Sequence, residues 1–456
     1  MKLVILTTFL IGFQLVFGQR LSIFRTSDSI RTCKPHEPLP IDESKDLLAC
    51  QRELGANTNV KDPEADKSIG QISVENGYLF ESYNVTTTDG YILTTFRISG
   101  GEKSPARRGK PAILLLHGLG SSSEAWIALP NDKNLAYMLA DAGWDVWLGN
   151  NRGSTFSSGH TSLNANRDLR YWDFSFHEMG IYDLPAVVDQ VRDVSGHDKI
   201  FLIGHSQGGT SYLIGVSEVP ELNDKIHAAY LMAPAAFLGG AYDPFFGAFL
   251  PIVNTPIQDL LYAVTRGRIQ RKNPRILSTV FGIQGHEFCQ PRSLRCGLCD
   301  TYLLGLYSFN PTQMNYTNIP RVVSKQFNID NLKSDIHFGQ NILSCMFRKY
   351  DYGSRENLRR YGAVDPPEYN LGQIRTPLHL LWTEQDALVT PTDIRRLVSR
   401  LPPSALRGVF RVGDDTYDHA DFSVARDANV VIYKPLIQMM NEFWNNVSLT
   451  PANTTS

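Results

Sequence analysis

The chain has 456 residues, 42% of them hydrophobic and 20% charged, with 44 Lys and Arg against 46 Asp and Glu for a formal net charge of −2 at pH 7. That length carries either one large domain with an insertion or two domains, and it buries a sizeable core. Charges of both signs are interspersed, without a basic stripe or an acidic tail, which excludes nucleic acid as a partner.

The N-terminus reads MKLVILTTFLIGFQLVFGQR. One lysine, an apolar run over 3–17 and small-residue positions at Val16 and Gly18 have the shape of a secretory signal, with cleavage expected after Gly18. The run is too short to span a bilayer comfortably, so residues 1–18 are expected to leave a soluble protein with no transmembrane segment. Residues 19–65 are polar, carry Pro and charge clusters and show no sustained period, which predicts an N-terminal extension rather than a domain. The stretch ENGYLFESYNVTTTDGYILTTFRIS then alternates apolar and polar residues around Asp89-Gly90, a hairpin signal.

Short, wholly apolar runs follow, namely AILLLHG, WDVWLGN, IFLIGH and IHAAYLMAP, separated by stretches with helical patterning over 135–142, over 182–194 and from Gly209. Strands buried on both faces with helices between them predict a parallel sheet in a doubly wound α/β domain. After Pro234 this rhythm breaks until about Pro377, and it returns at PLHLLWTEQD and ALRGVFRVGDD. Residues 238–372 therefore read as a cap inserted into a core made of residues 66–237 and 373–446, with 447–456 as a flexible tail.

Six cysteines, Cys33, Cys50, Cys289, Cys296, Cys299 and Cys345, behind a secretory signal predict disulfides. Cys33 and Cys50 form an expected N-terminal pair, and the connectivity of the other four stays open. The CxxC at 296–299 with nearby His286 lacks a second ligand pair at zinc-finger spacing, so no metal or other cofactor is expected. Acceptor sequons at Asn84, Asn315, Asn446 and Asn453 predict glycosylated surface positions.

The chemistry is placed by GHSQG at 204–208. The pentapeptide alone says little, since chance produces it often, but here it lies between a strand and a helix-forming stretch. A serine on a sharp strand-to-helix turn needs small neighbours two residues away, and Gly204 and Gly208 supply them. The helix N-terminus adjacent to Ser206 favours a developing anion. A serine hydroxyl is a poor nucleophile without a base, and the base needs a carboxylate to fix its tautomer. In the order Ser, acid, His, the acid reads as Asp386 in the loop after LHLLW, and the base as His419 in DDTYDHADF beyond the strand GVFRV. Asp414, Asp415 and Asp418 are rival carboxylates, set aside because they lie too near His419 in sequence to approach it from another strand end. The backbone N–H groups of Gln207 and Leu119 are the expected oxyanion donors, Gly118 letting the chain come close, and His117 reads as a structural hydrogen-bonding residue.

The segments GYILTTFRI, LLHGLGSSSEAW, ADAGWDVWLGNNRG, YWDFSFHEMGIYDLPA, GHSQGG, YDYGSRENLRRYG, PPEYNL and DHADF, in that order, resemble the acid lipases, the group of α/β-hydrolase fold that contains gastric and lysosomal acid lipases. The resemblance covers residues 70 to about 445. It implies the same site, Ser206, Asp386 and His419 with Leu119 and Gln207, and a mobile lid within the cap. It further implies a lipid ester substrate, most readily a triacylglycerol with a steryl ester as the alternative, and an extracellular or lysosomal location. Ile257, Leu260, Leu261 and Val264 recur at helical spacing in TPIQDLLYAV; the expectation is that they pack the cap on the core, the alternative being a lid face opened at a lipid surface.

Overall fold

The computed structural model describes residues 66–270 and 318–448, together with Glu64, Gln313 and Asn315. The expected signal and most of the N-terminal extension lie outside these residues, as do Cys33, Cys50, His286, Cys289, Cys296, Cys299 and Asn453. Cys345 is described and is not a free thiol. Among the other sequons, Asn84 and Asn446 are exposed and Asn315 is half-buried.

Among the described residues, eleven strands alternate with helices. The main sheet comprises β1 (Leu79–Thr86), β2 (Tyr91–Gly100), β3 (Ala112–Leu116), β4 (Asp145–Leu148), β5 (Gly159–His160), β6 (Ile200–His205), β7 (Ile226–Met232), β10 (Leu378–Trp382) and β11 (Leu406–Arg411), while β8 (Arg268–Gln270) and β9 (Ile329–Asn331) form a separate antiparallel ribbon. The order across the main sheet is β1-β2-β4-β3-β6-β7-β10-β11, with β5 paired to β2. From β4 to β11 every pairing is parallel, and β1 and β2 run antiparallel at one side. The hairpin expected at Asp89-Gly90 joins β1 to β2, with Gly90 at φ +97°, a conformation open to glycine.

The wholly apolar runs became strands because no face of the central sheet meets water. Every residue of β3, β4 and β6 is buried. The cover on the two faces can be read from β6, whose alternate residues point opposite ways. Phe201 packs against Phe443 and Trp444 of the C-terminal helix, whereas Gly204 abuts Gly208 and Gly209 of the helix that follows β6. Those two helices therefore lie on opposite faces, as a doubly wound α/β fold requires.

The helices that matter for the site are α1 (Leu135–Asp141), α2 (Leu184–Ser195), α3 (Gln207–Glu218), α4 (Pro256–Thr265), α5 (Ile319–Gln326), α6 (Leu332–Ser344), α7 (Pro391–Arg400) and α8 (Lys434–Ser448). Helix α2 buries Leu184, Val187, Val188 and Val191, one stripe at helical spacing, and ends at Gly196 in the left-handed conformation. It begins two residues later than its pattern suggests, because Met179–Asp183 forms a wider π-type turn first.

The segment between β7 and β10, where the rhythm of apolar runs is expected to break, holds α4 at the expected helical spacing, and also α5, α6 and the β8-β9 ribbon. Its pattern escaped because α6 is buried almost all round, including Lys333, Asp335, His337, Gln340 and Asn341, so no polar face marks it as a helix. The expected packing of α4 on the core also fails for three of its four apolar residues. Leu261 packs against a small cluster containing Val253, Leu332, Ile336 and Tyr350, but Ile257, Leu260 and Val264 are 56%, 64% and 59% exposed.

Candidate active site

The site is built on the C-terminal ends of β3, β6, β10 and β11. Strand β6 runs straight into α3 through Ser206, which has φ 53° and ψ −118°, a strained conformation for a residue with a side chain. The turn closes because nothing larger than hydrogen stands beside it. A Cβ on Gly204 would lie 2.8 Å from the Gly209 nitrogen, and one on Gly208 would lie 2.3 Å from the Leu116 carbonyl oxygen. The Ser206 N–H donates to the Met232 carbonyl at 2.9 Å, tying the elbow to the end of β7.

Of the candidates named from sequence, the structure brings Ser206, His419 and Asp386 together. His419 Nε2 lies 2.9 Å from Ser206 Oγ, and its Nδ1 lies 2.8 Å from Asp386 Oδ2. All three side chains are buried. Asp386 also accepts the backbone N–H groups of Leu388 and Val389 on Oδ1, at 2.9 and 2.7 Å, so one oxygen is fixed by its own loop and the other is left for the imidazole. An ionised carboxylate at that place holds the proton on Nδ1, which leaves the Nε2 lone pair directed at the serine.

The rival carboxylates fall elsewhere. Asp414 and Asp415 are exposed, Asp415 pairing with Arg411. Asp418 Oδ1 accepts the backbone N–H groups of His419 and Ala387, at 2.6 and 3.1 Å, and makes no contact with the ring nitrogens among the described hydrogen bonds. Burial, and then the Asp386 charge, push its carboxyl well above the usual range.

The other side of the site is the loop after β3. A Cβ on Gly118 would sit 3.2 Å from Ser206 Cβ and 3.7 Å from its Oγ, which puts that backbone directly against the nucleophile. His117 shapes the loop: Nδ1–H donates to the Gly118 carbonyl at 2.9 Å and Nε2 accepts the Asn151 N–H at 3.2 Å. Burial holds it neutral, with its pKa down at about 4. Leu119 follows Gly118, and Gln207 opens α3, where a first-turn N–H has no acceptor within the helix.

Sequence reasoning passed over His205 and Asn328. Asn328 N–H donates to the Gly120 carbonyl at 2.8 Å, and its Oδ1 accepts from the Thr155 N–H and hydroxyl at 2.8 and 2.7 Å, joining the inserted segment to the loops after β3 and β4. Neither residue belongs to a pattern that announces chemistry. His205 was in view only as a variable position of GHSQG.

A parallel sheet with helices on both faces, carrying a strained serine after a central strand and a histidine and a carboxylate on later loops, is the arrangement of an α/β hydrolase. Comparison with known proteins places the chain more narrowly. Residues 111–255 match the alpha/beta hydrolase fold family and residues 69–129 the partial alpha/beta-hydrolase lipase region. Lipase 3 of Drosophila melanogaster is 34% identical over 82% of this chain and 93% of its own length. Human Lipase member K is 32% identical over 86% and 94%, and rat Gastric triacylglycerol lipase is 34% identical over 83% and 93%. The chain belongs to this lipase family and is a carboxylic ester hydrolase. A solved structure from Sulfolobus solfataricus, 14% identical with a TM-score of 0.51 over 80% of this chain and 95% of that one, shares the fold.

Among the described residues no helix is long and apolar enough to cross a membrane, and no group of three or more His, Cys, Asp and Glu is arranged to hold a metal ion.

Proposed function

We propose that the chain hydrolyses fatty-acid esters, triacylglycerols foremost, through an acyl-serine intermediate, with Ser206 as nucleophile, His419 as base and Asp386 as the acid that orients it. His419 Nε2 takes the Ser206 proton as Oγ attacks the ester carbonyl. The tetrahedral oxyanion is held by the N–H groups of Leu119 and Gln207, aided by the positive end of α3. His419 then gives its proton to the departing alcohol oxygen, leaving an acyl-serine. Water enters, is deprotonated by the same nitrogen, and releases the fatty acid and Ser206. The observation that carries this reading is one imidazole bonded at one nitrogen to the serine on the elbow and at the other to a buried carboxylate.

The same reading makes residues 238–372 a cap with a lid, and the exposed apolar side of α4 the part that meets a lipid surface. The N-terminal signal pattern and the sequons support an extracellular or lysosomal glycoprotein with disulfides. Free fatty acid release from emulsified triolein, wild type beside Ser206→Ala, tests the chemistry. Release by wild type, strongest at acid pH, and a loss of roughly 10⁴-fold or more in the variant are expected. Equal release by both would overturn the mechanism, and cholesteryl oleate assayed in parallel decides between glycerol and steryl esters.

A further inference from the structure

The reaction uses the His419 ring, yet a ring is only as well placed as the main chain that carries it. His419 lies in a loop beyond β11, outside any helix or strand. Its main chain is nevertheless held at both ends by side chains. The His419 carbonyl accepts Nε2–H of His205 at 3.2 Å, and the His419 N–H donates to Asp418 Oδ1 at 2.6 Å. The same Asp418 oxygen takes the N–H of Ala387 at 3.1 Å. His205 immediately precedes the nucleophile, and Ala387 immediately follows the acid.

We propose that His205 and Asp418 are positioning residues that grip the main chain of His419 from the nucleophile's side and from the acid's side, fixing the three reacting groups relative to one another. Neither touches a reacting atom in this arrangement. The His205 ring also packs against the His419 ring, centroids 5.2 Å apart, and against Phe422 at 5.8 Å, so rotation about its own χ angles is blocked. A Cβ on Gly118 would come within 3.5 Å of its Nδ1, so the ring lies beside the loop after β3. His205 remains neutral in acid, its pKa lowered to about 3 by burial and then by the neighbouring His419, so the donated hydrogen bond survives where a charged ring would repel the imidazolium formed during turnover. Proton transfer along Ser206, His419 and Asp386 tolerates little displacement, which is why a grip on the backbone matters to rate.

The inference rests on Ser206, His419 and Asp386 being the reacting groups, and the experiment separates the two claims. Full-length His205→Phe removes the donor and keeps a ring, while His205→Gln keeps an N–H near the same place. Asp418→Ala removes the acceptor, while Asp418→Asn keeps a carbonyl oxygen of similar reach. Rates on the soluble ester p-nitrophenyl butyrate are measured per active site, sites being counted by the final extent of covalent labelling with a phosphonate ester. His205→Leu and Asp418→Val stand in wherever a loss variant yields no sites.

We expect the Phe and Ala variants to lose roughly tenfold to a hundredfold in kcat with KM little changed, and the Gln and Asn variants to recover most of it. Undiminished kcat in the Phe and Ala variants overturns the proposal, as does an equal loss in the Gln and Asn variants, which would make ring shape or charge the operative property. Ser206→Ala is run beside them. Should it stay active, the reading of the reacting groups fails; should it be dead while the Phe and Ala variants match wild type, only the positioning claim fails.

Discussion

Asp386 shows how much of this site one side chain can decide. Its Oδ1 is committed to the N–H groups of Leu388 and Val389, so only Oδ2 faces His419. In Asp386→Asn the remaining carbonyl oxygen stays with those two donors and the new amide turns its NH₂ toward Nδ1. The ring must then carry its proton on Nε2, where it cannot accept one from Ser206. We expect kcat to fall by roughly 10³–10⁴-fold with KM and folding little altered, measured on a soluble ester together with a thermal melt. That Ser206, Asp386 and His419 meet was legible in the sequence because each is announced by a local rule, a tight turn after a strand or a loop after the next one. Asp418 is a different case. Proximity in sequence made it a poor orienter of the ring, and that holds, but proximity is what lets its carboxyl reach the N–H of His419 itself.

At the level of elements, the core strands could be read from their unbroken apolar runs, whereas α6 could not. Three of its buried polar residues find partners outside the helix. Lys333 Nζ meets Asp173 at 2.6 Å, His337 lies between Ser175 Oγ and the Arg348 carbonyl at 3.0 and 2.9 Å, and Gln340 bonds Asn254 and the Asp351 backbone. Asp173, Ser175 and Asn254 lie far off in the sequence, so hydropathy misreports the helix. Helix α4 is the converse case, with apolar residues left exposed at Ile257, Leu260 and Val264. Replacing all three with serine removes apolar surface that adsorption would bury. We expect the rate on emulsified triolein to drop roughly tenfold while hydrolysis of a soluble short-chain ester is unchanged. An equal fall on both substrates would show that the stripe supports the fold instead.

For the molecule as a whole, six buried or half-buried histidines among the described residues bind protons more weakly than a free imidazole. Burial is the first cause in each: His117, His227 and His379 drop to about 4, His205 to about 3, and His177 and His337 are lowered as well. The unfolded chain protonates its histidines near pH 6.5 and the native state does so only well below, so their contribution to stability is lost as pH falls from about 6.5 toward 4. Asp183, Asp393 and Asp418, each raised by burial and Asp393 to about 6, act in the opposite sense, since the native state takes up their protons before the unfolded chain does. Six histidines against three carboxylates predict a Tm that declines between pH 7 and pH 4, read by calorimetry across that range. Hydrolysis in acid, as proposed, would therefore draw on the reserve of stability, with a site whose flanking histidines stay uncharged.

The pairing of β7 with β10 has a consequence for the order in which a working molecule appears. Leu378 lies beside Ala229, neighbours that the chain separates by about 150 residues, and such distant pairings form slowly. The elbow belongs to the segment made before that interval, and Asp386 and His419 belong to the segment made after it. A nascent chain still emerging from the ribosome carries Ser206 long before it holds His419. On the proposed mechanism, hydrolytic power therefore waits until the last two strands dock.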